Sequence, residues 1–161
     1  MLTRSSAFLH KEFKRTKDNP SFSIGLVEGS IYTWEVIILG PSNTLYENGI
    51  FKAIMQFPEN YPDSPPKFRF VSDMWHPNID KDGNVCISIL HEPGDDMYEY
   101  ECVAERWMPV RNPESVILSI VALLNWPNSD SPANLDAARE FREDKILYDK
   151  KVLRLTQKTL E

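Results

Sequence analysis

The chain has 161 residues, 42% hydrophobic and 11% aromatic, with 18 Lys+Arg, 24 Asp+Glu and 2 Cys. A chain of this size buries roughly 70% of its unfolded surface as one domain, and two cysteines make neither a disulfide scaffold nor a thiolate-rich zinc site. The composition argues against a disordered chain, no apolar run is long enough to span a membrane, the N-terminus lacks a signal-peptide core, and a net charge of −6 disfavours non-specific nucleic-acid binding.

Residues 3–17 are predicted helical: Leu2, Leu9 and Phe13 fall on one face, and Asn19-Pro20 ends the run. Residues 4–17 carry a local charge of +4, from Arg4, Lys11, Lys14, Arg15 and Lys17 against Glu12. Alternation at Phe22, Ile24 and Leu26 predicts a strand, and Glu28-Gly29-Ser30 a turn into a second strand over 31–39. Residues 50–57 and 67–71 give two more, and connections this short favour an antiparallel meander. Pro58, Pro62, Pro65 and Pro66 make the link between the last two a rigid surface connection.

Periodicity then fails over 72–112, a length of irregular chain that marks function or disorder. Within it, residues 92–105 hold Glu92, Asp95, Asp96, Glu99, Glu101 and Glu105 with no Lys or Arg, a local −6, so the rest of the chain sums to zero. Clustered charge of either sign steers a complementary partner, or simply solvates a loop or a helix face. Asn112-Pro113 opens a helix with its apolar face at Val116, Ile117, Ile120, Val121 and Leu124. Asn134 caps a short helix over 135–141, and 144–159 forms a last one. The fold class is α+β: a helix, a four-stranded antiparallel meander, an irregular segment and three helices, in one domain over 1–161.

The chemistry belongs to the irregular segment. Asn78 to Gly83 mimics the start of a calcium loop, but the twelfth position is Ile89, so a tight Asp-Gly turn is the better account and no metal site is expected. Cys86 follows that turn among apolar neighbours, where a cysteine usually packs as a small hydrophobe. His76 and His91 flank it, yet no nucleophile-family signature supports a Cys–His hydrolase.

The motifs FPENYPDSPPKFRF (57–70), HPNI (76–79), Cys86 eight residues after Asn78, Trp107 and PNSDSPAN (127–134) occur in order over essentially the whole chain. In this arrangement the chain resembles the ubiquitin-conjugating enzyme family. That resemblance implies that Cys86 accepts ubiquitin from a ubiquitin-activating enzyme as a thioester and passes it to a lysine, together with a ubiquitin ligase, of RING type. It implies no cofactor of the chain's own, since the activating enzyme consumes the ATP. Asn78 would stabilise the oxyanion or order the active-site loop, with His76 and Pro77 as loop architecture. The family's acidic residue at the mouth of the site falls on Ser131, with Asp130 adjacent, and Trp126 stands where an acidic residue is usual.

The long interval before Trp107 resembles the acidic-loop subgroup, with an insertion at about 92–105. Some of its members build ubiquitin chains and act in quality control at the endoplasmic reticulum. Asp95, Asp96, Tyr98, Glu99 and Glu101 would then position an acceptor ubiquitin, building polyubiquitin for degradation. The basic helix (Arg4, Lys11, Lys14, Arg15), the loop with Pro62 and Pro65, and the loop with Trp107 and Pro109 would meet the activating enzyme and ligases. Asp63 and Ser64 replace a hydrophobic anchor common in the proline loop. Cytoplasmic localisation is expected, with the nucleus or partner-mediated recruitment to the endoplasmic reticulum surface also open, and neither nucleic acid nor direct membrane insertion. Two alternatives stay open: a catalytically silent ubiquitin-binding adaptor, and a conjugating enzyme for another ubiquitin-like modifier. Cys102 is an incidental thiol, or half of a redox lock with Cys86.

Overall fold

A computed structural model describes residues 3–92 and 105–161. Helix α1 runs Arg4–Thr16; strands β1 Phe22–Val27, β2 Ser30–Leu39, β3 Ile50–Gln56 and β4 Lys67–Phe70 follow. Helices α2 Pro113–Asn125, α3 Leu135–Glu143 and α4 Lys145–Lys158 complete the chain. The four strands form one antiparallel sheet in the order β1-β2-β3-β4, the meander expected from the short connections.

Period-2 alternation puts Trp34, Val36 and Ile38 of β2, Phe51, Ala53 and Met55 of β3, and Phe68 and Phe70 of β4 on one buried face. Onto them pack Leu9 of α1, Val116, Ile117 and Ile120 of α2, and Tyr148 and Val152 of α4. Trp34, fully buried, donates its indole N–H to the Ile31 carbonyl at 2.7 Å, so its one polar group is satisfied inside the core.

Helix boundaries follow their caps. Thr3 Oγ1 accepts the Ser6 N–H and starts α1. Asn112 and Ser115 form a reciprocal capping box ahead of Pro113, and Asn134 Oδ1 accepts the Ala137 N–H to start α3. Asp144 ends α3 and caps α4 through Leu147 N–H.

The proline-rich link departs from the expected plain surface connection. Tyr61, between Pro58 and Pro62, is buried against Phe57, Phe8 and Trp107, with ring centroids 4.9, 5.9 and 5.7 Å away. The described stretch from 71 to 92 is also less irregular than predicted. Arg69↔Asn84, His76↔Ile79 and Ile79↔Val85 form isolated bridges, and Ser88–Leu90 makes a 3-10 turn. No helix among the described residues is long and apolar enough to cross a membrane.

Candidate active site

Asp80 builds the turn that presents Cys86. Its Oδ1 accepts the backbone N–H groups of Asp82 and Asn84, both at 2.9 Å, and its Oδ2 accepts the Asn84 side-chain amide. The carboxylate is thus spent on its own loop. No group of three or more His, Cys, Asp and Glu suited to a metal occurs among the described residues. Gly83 closes the turn at φ +93°, and a Cβ there would lie 2.1 Å from the Phe70 carbonyl oxygen. Only glycine fits, because both the left-handed backbone and the approach to β4 exclude a side chain.

That approach docks the returning strand. Phe70 N–H donates to Gly83 O and Val85 N–H to Phe68 O, while Cys86 N–H donates to the Asn78 carbonyl at 2.8 Å. Cys86 is thereby fixed at the end of a short hairpin tied to β4 on one side and to Asn78 on the other. The residue is partly exposed. The His91 imidazole comes within 3.9 Å of Sγ, because the 3-10 turn folds residue 91 back over residue 86. An imidazole at that range can accept a thiol proton or donate to a thiolate.

Asn78 is 2% exposed, and its side chain is held on three sides. Its Nδ2 donates to the carbonyls of Asn128 (2.7 Å) and Ser131 (3.2 Å), and its Oδ1 accepts the Asn128 N–H at 2.8 Å. Residue 78 thus clasps the loop between α2 and α3. Pro77 O adds two bonds from Ala133 N–H and Asn134 N–H, at 2.7 and 3.0 Å.

His76 is fully buried. Its Nε2 faces the Leu123 carbonyl at 2.9 Å, and its Nδ1 accepts the Asn78 N–H at 2.9 Å. A carbonyl only accepts and an amide N–H only donates, so the ring is the neutral Nε2–H tautomer. Burial pushes its pKa down from 6.5 to about 4, against a smaller upward pull from the Leu123 carbonyl. With both nitrogens occupied, His76 braces the loop and has no lone pair left for a reacting group.

Asp130 and Ser131 are exposed on the clasped loop, and Ser131 reaches Asn78 through its carbonyl. Asp95, Asp96, Tyr98, Glu99, Glu101 and Cys102 lie outside the described residues. Arg4, Lys11, Lys14 and Arg15 are exposed on α1. The aromatic row Phe8–Tyr61–Trp107 sets α1, the proline-rich loop and the loop at 107–109 side by side.

Trp107 requires a correction. As a partner contact it would need exposure, but it is 0% exposed. Its Nε1–H donates to Pro62 O at 2.8 Å and its backbone N–H to His91 O at 3.0 Å, so it is a strut between the proline-rich loop and the residue beside Cys86. Pro62 and Pro65 are partly exposed and Pro109 is exposed, so these remain available.

Residues 8–156 match the sequence profile of the ubiquitin-conjugating enzymes. The chain belongs to the ubiquitin-conjugating enzyme family. It is 52% identical over 164 residues to ubiquitin-conjugating enzyme E2 7 of Arabidopsis thaliana, covering 100% of this chain and 99% of that one. It is 50% identical over 160 residues to ubiquitin-conjugating enzyme E2 15 of Schizosaccharomyces pombe (98% and 96%), and 50% identical over 163 residues to probable ubiquitin-conjugating enzyme E2 7 of Caenorhabditis elegans (99% of each). The enzyme is accordingly a transferase of ubiquitin conjugation, a family that works with ubiquitin, an activating enzyme and ligases.

In the sequence His91 is only half of an unsupported Cys–His pair, and nothing marks Asn128 as a partner of Asn78. A Pro-Asn step after an apolar helix gave no sign that its backbone would meet Asn78 fifty residues earlier.

Proposed function

We propose that Cys86 is the residue that carries ubiquitin. Its thiolate attacks the thioester carbonyl linking ubiquitin to the activating enzyme, and the activating enzyme's thiolate leaves. A lysine amine then attacks the new thioester and loses a proton, the C–S bond breaks, and the Cys86 thiolate is regenerated with an isopeptide bond formed. The observation that carries this reading is that Cys86 is a partly exposed residue tied through its backbone N–H to the Asn78 carbonyl.

Asn78 serves this chemistry in two ways. In the resting enzyme its amide holds the loop from Asn128 to Ser131. To donate to the negative charge that develops on the thioester carbonyl oxygen during acyl transfer, Nδ2 must release one of those two loop carbonyls. His76 and Pro77 support the loop, and the family resemblance assigns the mouth of the site, where an incoming amine would pass, to Ser131 with Asp130 adjacent. This chain needs no cofactor, because the acyl group arrives already activated.

The acidic segment, through Asp95, Asp96, Tyr98, Glu99 and Glu101, orients an acceptor ubiquitin by its basic face, so the product is a polyubiquitin chain that marks substrates for degradation. Arg4, Lys11, Lys14 and Arg15 meet the activating enzyme. Pro62, Pro65 and Pro109 meet a ligase of RING type. The whole of 1–161 acts as one catalytic core in the cytoplasm, recruited to the endoplasmic reticulum by partners.

The test is incubation with ubiquitin, activating enzyme and ATP, followed by non-reducing electrophoresis. A ubiquitin adduct that disappears with reductant is expected from the wild type, and no such adduct from Cys86→Ser. A wild type that never loads, or a reductant-sensitive adduct surviving in Cys86→Ser, overturns the assignment.

A further inference from the structure

Behind the His76–Asn78 turn lies a charged cluster that the reaction just described does not use. Glu140, in the middle of α3, is 6% exposed, an environment that a carboxylate occupies only with partners. It has two. Its Oε1 accepts the Trp75 indole N–H at 3.1 Å, and its Oε2 accepts an N–H of the Lys151 ammonium at 2.6 Å from α4. Lys151 Nζ also lies 4.5 Å from the centroid of the Trp75 ring, close enough for attraction to its π face. Indole, carboxylate and ammonium therefore close a three-cornered contact between α3, α4 and the residue that immediately precedes His76.

The same helix already grips the turn from its other end. Asn134, which caps α3, and Ala133 before it donate their N–H groups to Pro77 O. Glu140 lies six residues further along, about 9 Å at 1.5 Å per residue. Helix α3 thus holds the chain at residue 75 by a side chain and at residue 77 by backbone. Between and beyond these points His76 bonds the Asn78 N–H, and Asn78 bonds the loop from 128 to 131. A leucine at 140 would pack without the desolvation cost of a buried ion pair, whereas the carboxylate fixes direction: it accepts from one indole N–H in one orientation.

We propose that Glu140, held in place by Lys151, is a positioning residue for Asn78: through the Trp75 indole it sets where the His76-Pro77-Asn78 turn sits relative to Cys86. The proposal rests on the roles given above to Cys86 and Asn78. Misplacement of a group by about 1 Å can cost up to 10²-fold in rate, so loss of one of two anchors should tell on transfer more than on loading.

The test compares Glu140→Ala, Glu140→Gln and Lys151→Met in single-turnover discharge of the Cys86–ubiquitin thioester to free lysine, alongside loading by the activating enzyme and thermal unfolding. Glu140→Ala should slow discharge about five- to tenfold, with loading changed less than about twofold. Glu140→Gln, which keeps an oxygen for the Trp75 N–H, should recover at least half of that loss. Lys151→Met, which keeps the stem but leaves Glu140 without its cation, should slow discharge about two- to threefold. In an Asn78→Ala background Glu140→Ala should cost nothing further, since the residue through which it acts is gone.

A purely structural Glu140 lowers the melting temperature without this pattern. Equal losses in loading and discharge, no rescue by Gln, or a full additional loss in the Asn78→Ala background would each overturn the proposal. Should Glu140→Ala not fold, the Gln and Lys151→Met proteins decide by the same discharge criteria. If the wild type carries no ubiquitin, the reading of Cys86 fails by itself. The coupling is then read from the Asn78 side-chain amide resonances of the free enzyme: a shift in Glu140→Ala reversed in Glu140→Gln supports the proposal, and unmoved resonances sink it.

Discussion

Acidification should destabilise this enzyme through His76. The native ring is neutral, donating at Nε2 to Leu123 O and accepting at Nδ1 from Asn78 N–H. Adding a proton at Nδ1 destroys an acceptor, sets N–H against N–H, and places a charge in a site with no exposure. Because the folded pKa lies at about 4, below the unfolded value of about 6.5, the native state binds fewer protons than the unfolded chain across that interval. Stability is therefore fully present above pH 6.5 and falls as the pH drops toward 4. The gap between the two values corresponds to roughly 3 kcal/mol by pH 4, a large share of the ~5–15 kcal/mol typical of a domain.

The assay is urea unfolding at half-unit steps from pH 4 to 7.5, on the wild type and on His76→Gln. The variant will be less stable overall, but the contributions of all other titrating groups largely cancel in the difference. That difference should shrink by about 3 kcal/mol on going from pH 7 to pH 4. Nitrogen shifts of the imidazole should report the Nε2–H tautomer throughout. Parallel stability profiles, or a ring that protonates near 6.5 in the native protein, would refute the reasoning and reopen His76 as a general base.

Four further outcomes are expected. Asn78→Ala should still load ubiquitin but discharge roughly 10²-fold more slowly to free lysine, and should lose about 1–3 kcal/mol of stability because Asn128 N–H loses its acceptor; equal discharge rates would remove its role in transfer. Gly83→Ala should cost at least about 2 kcal/mol, from a strained φ and the collision with Phe70 O, and a melting temperature within a degree of wild type would contradict this. Charge reversal at Lys11 and Lys14 should slow thioester loading and leave melting unchanged, whereas unaltered loading would make that face of α1 merely solvated. Neutralising Asp95, Asp96, Glu99 and Glu101 together should reduce chain formation more than loading, and salt added to the wild type should do the same; parallel losses would point to damage elsewhere.

Local chemistry made much of this legible. Alternation together with β-branched and aromatic content yields all four strands within a residue or two. Asn112-Pro113 and Asn134 mark helix starts because capping is a property of neighbouring residues. Asp82-Gly83 announces its turn for the same reason, although the capping by Asp80 appears only in the structure. The resemblance carried by HPNI and Cys86 then supplied the family, which periodicity alone could not.

Other features depend on residues far apart in the chain. Tyr61 and Trp107 read as parts of surface loops, yet they are buried, because each completes an aromatic row that exists only once α1 lies against the proline-rich loop. Asn78 reads as a donor for chemistry, yet at rest its amide is occupied by backbone that arrives fifty residues later. Glu140 looks like one more acid on a solvated helix until Trp75 and Lys151 close around it. The sequence alone determined the elements, their order and the candidate nucleophile, since these rest on short-range propensity and on residue type. Only tertiary packing decided which polar groups are spent on holding the site and which remain free to react, since that depends on partners brought together across the fold.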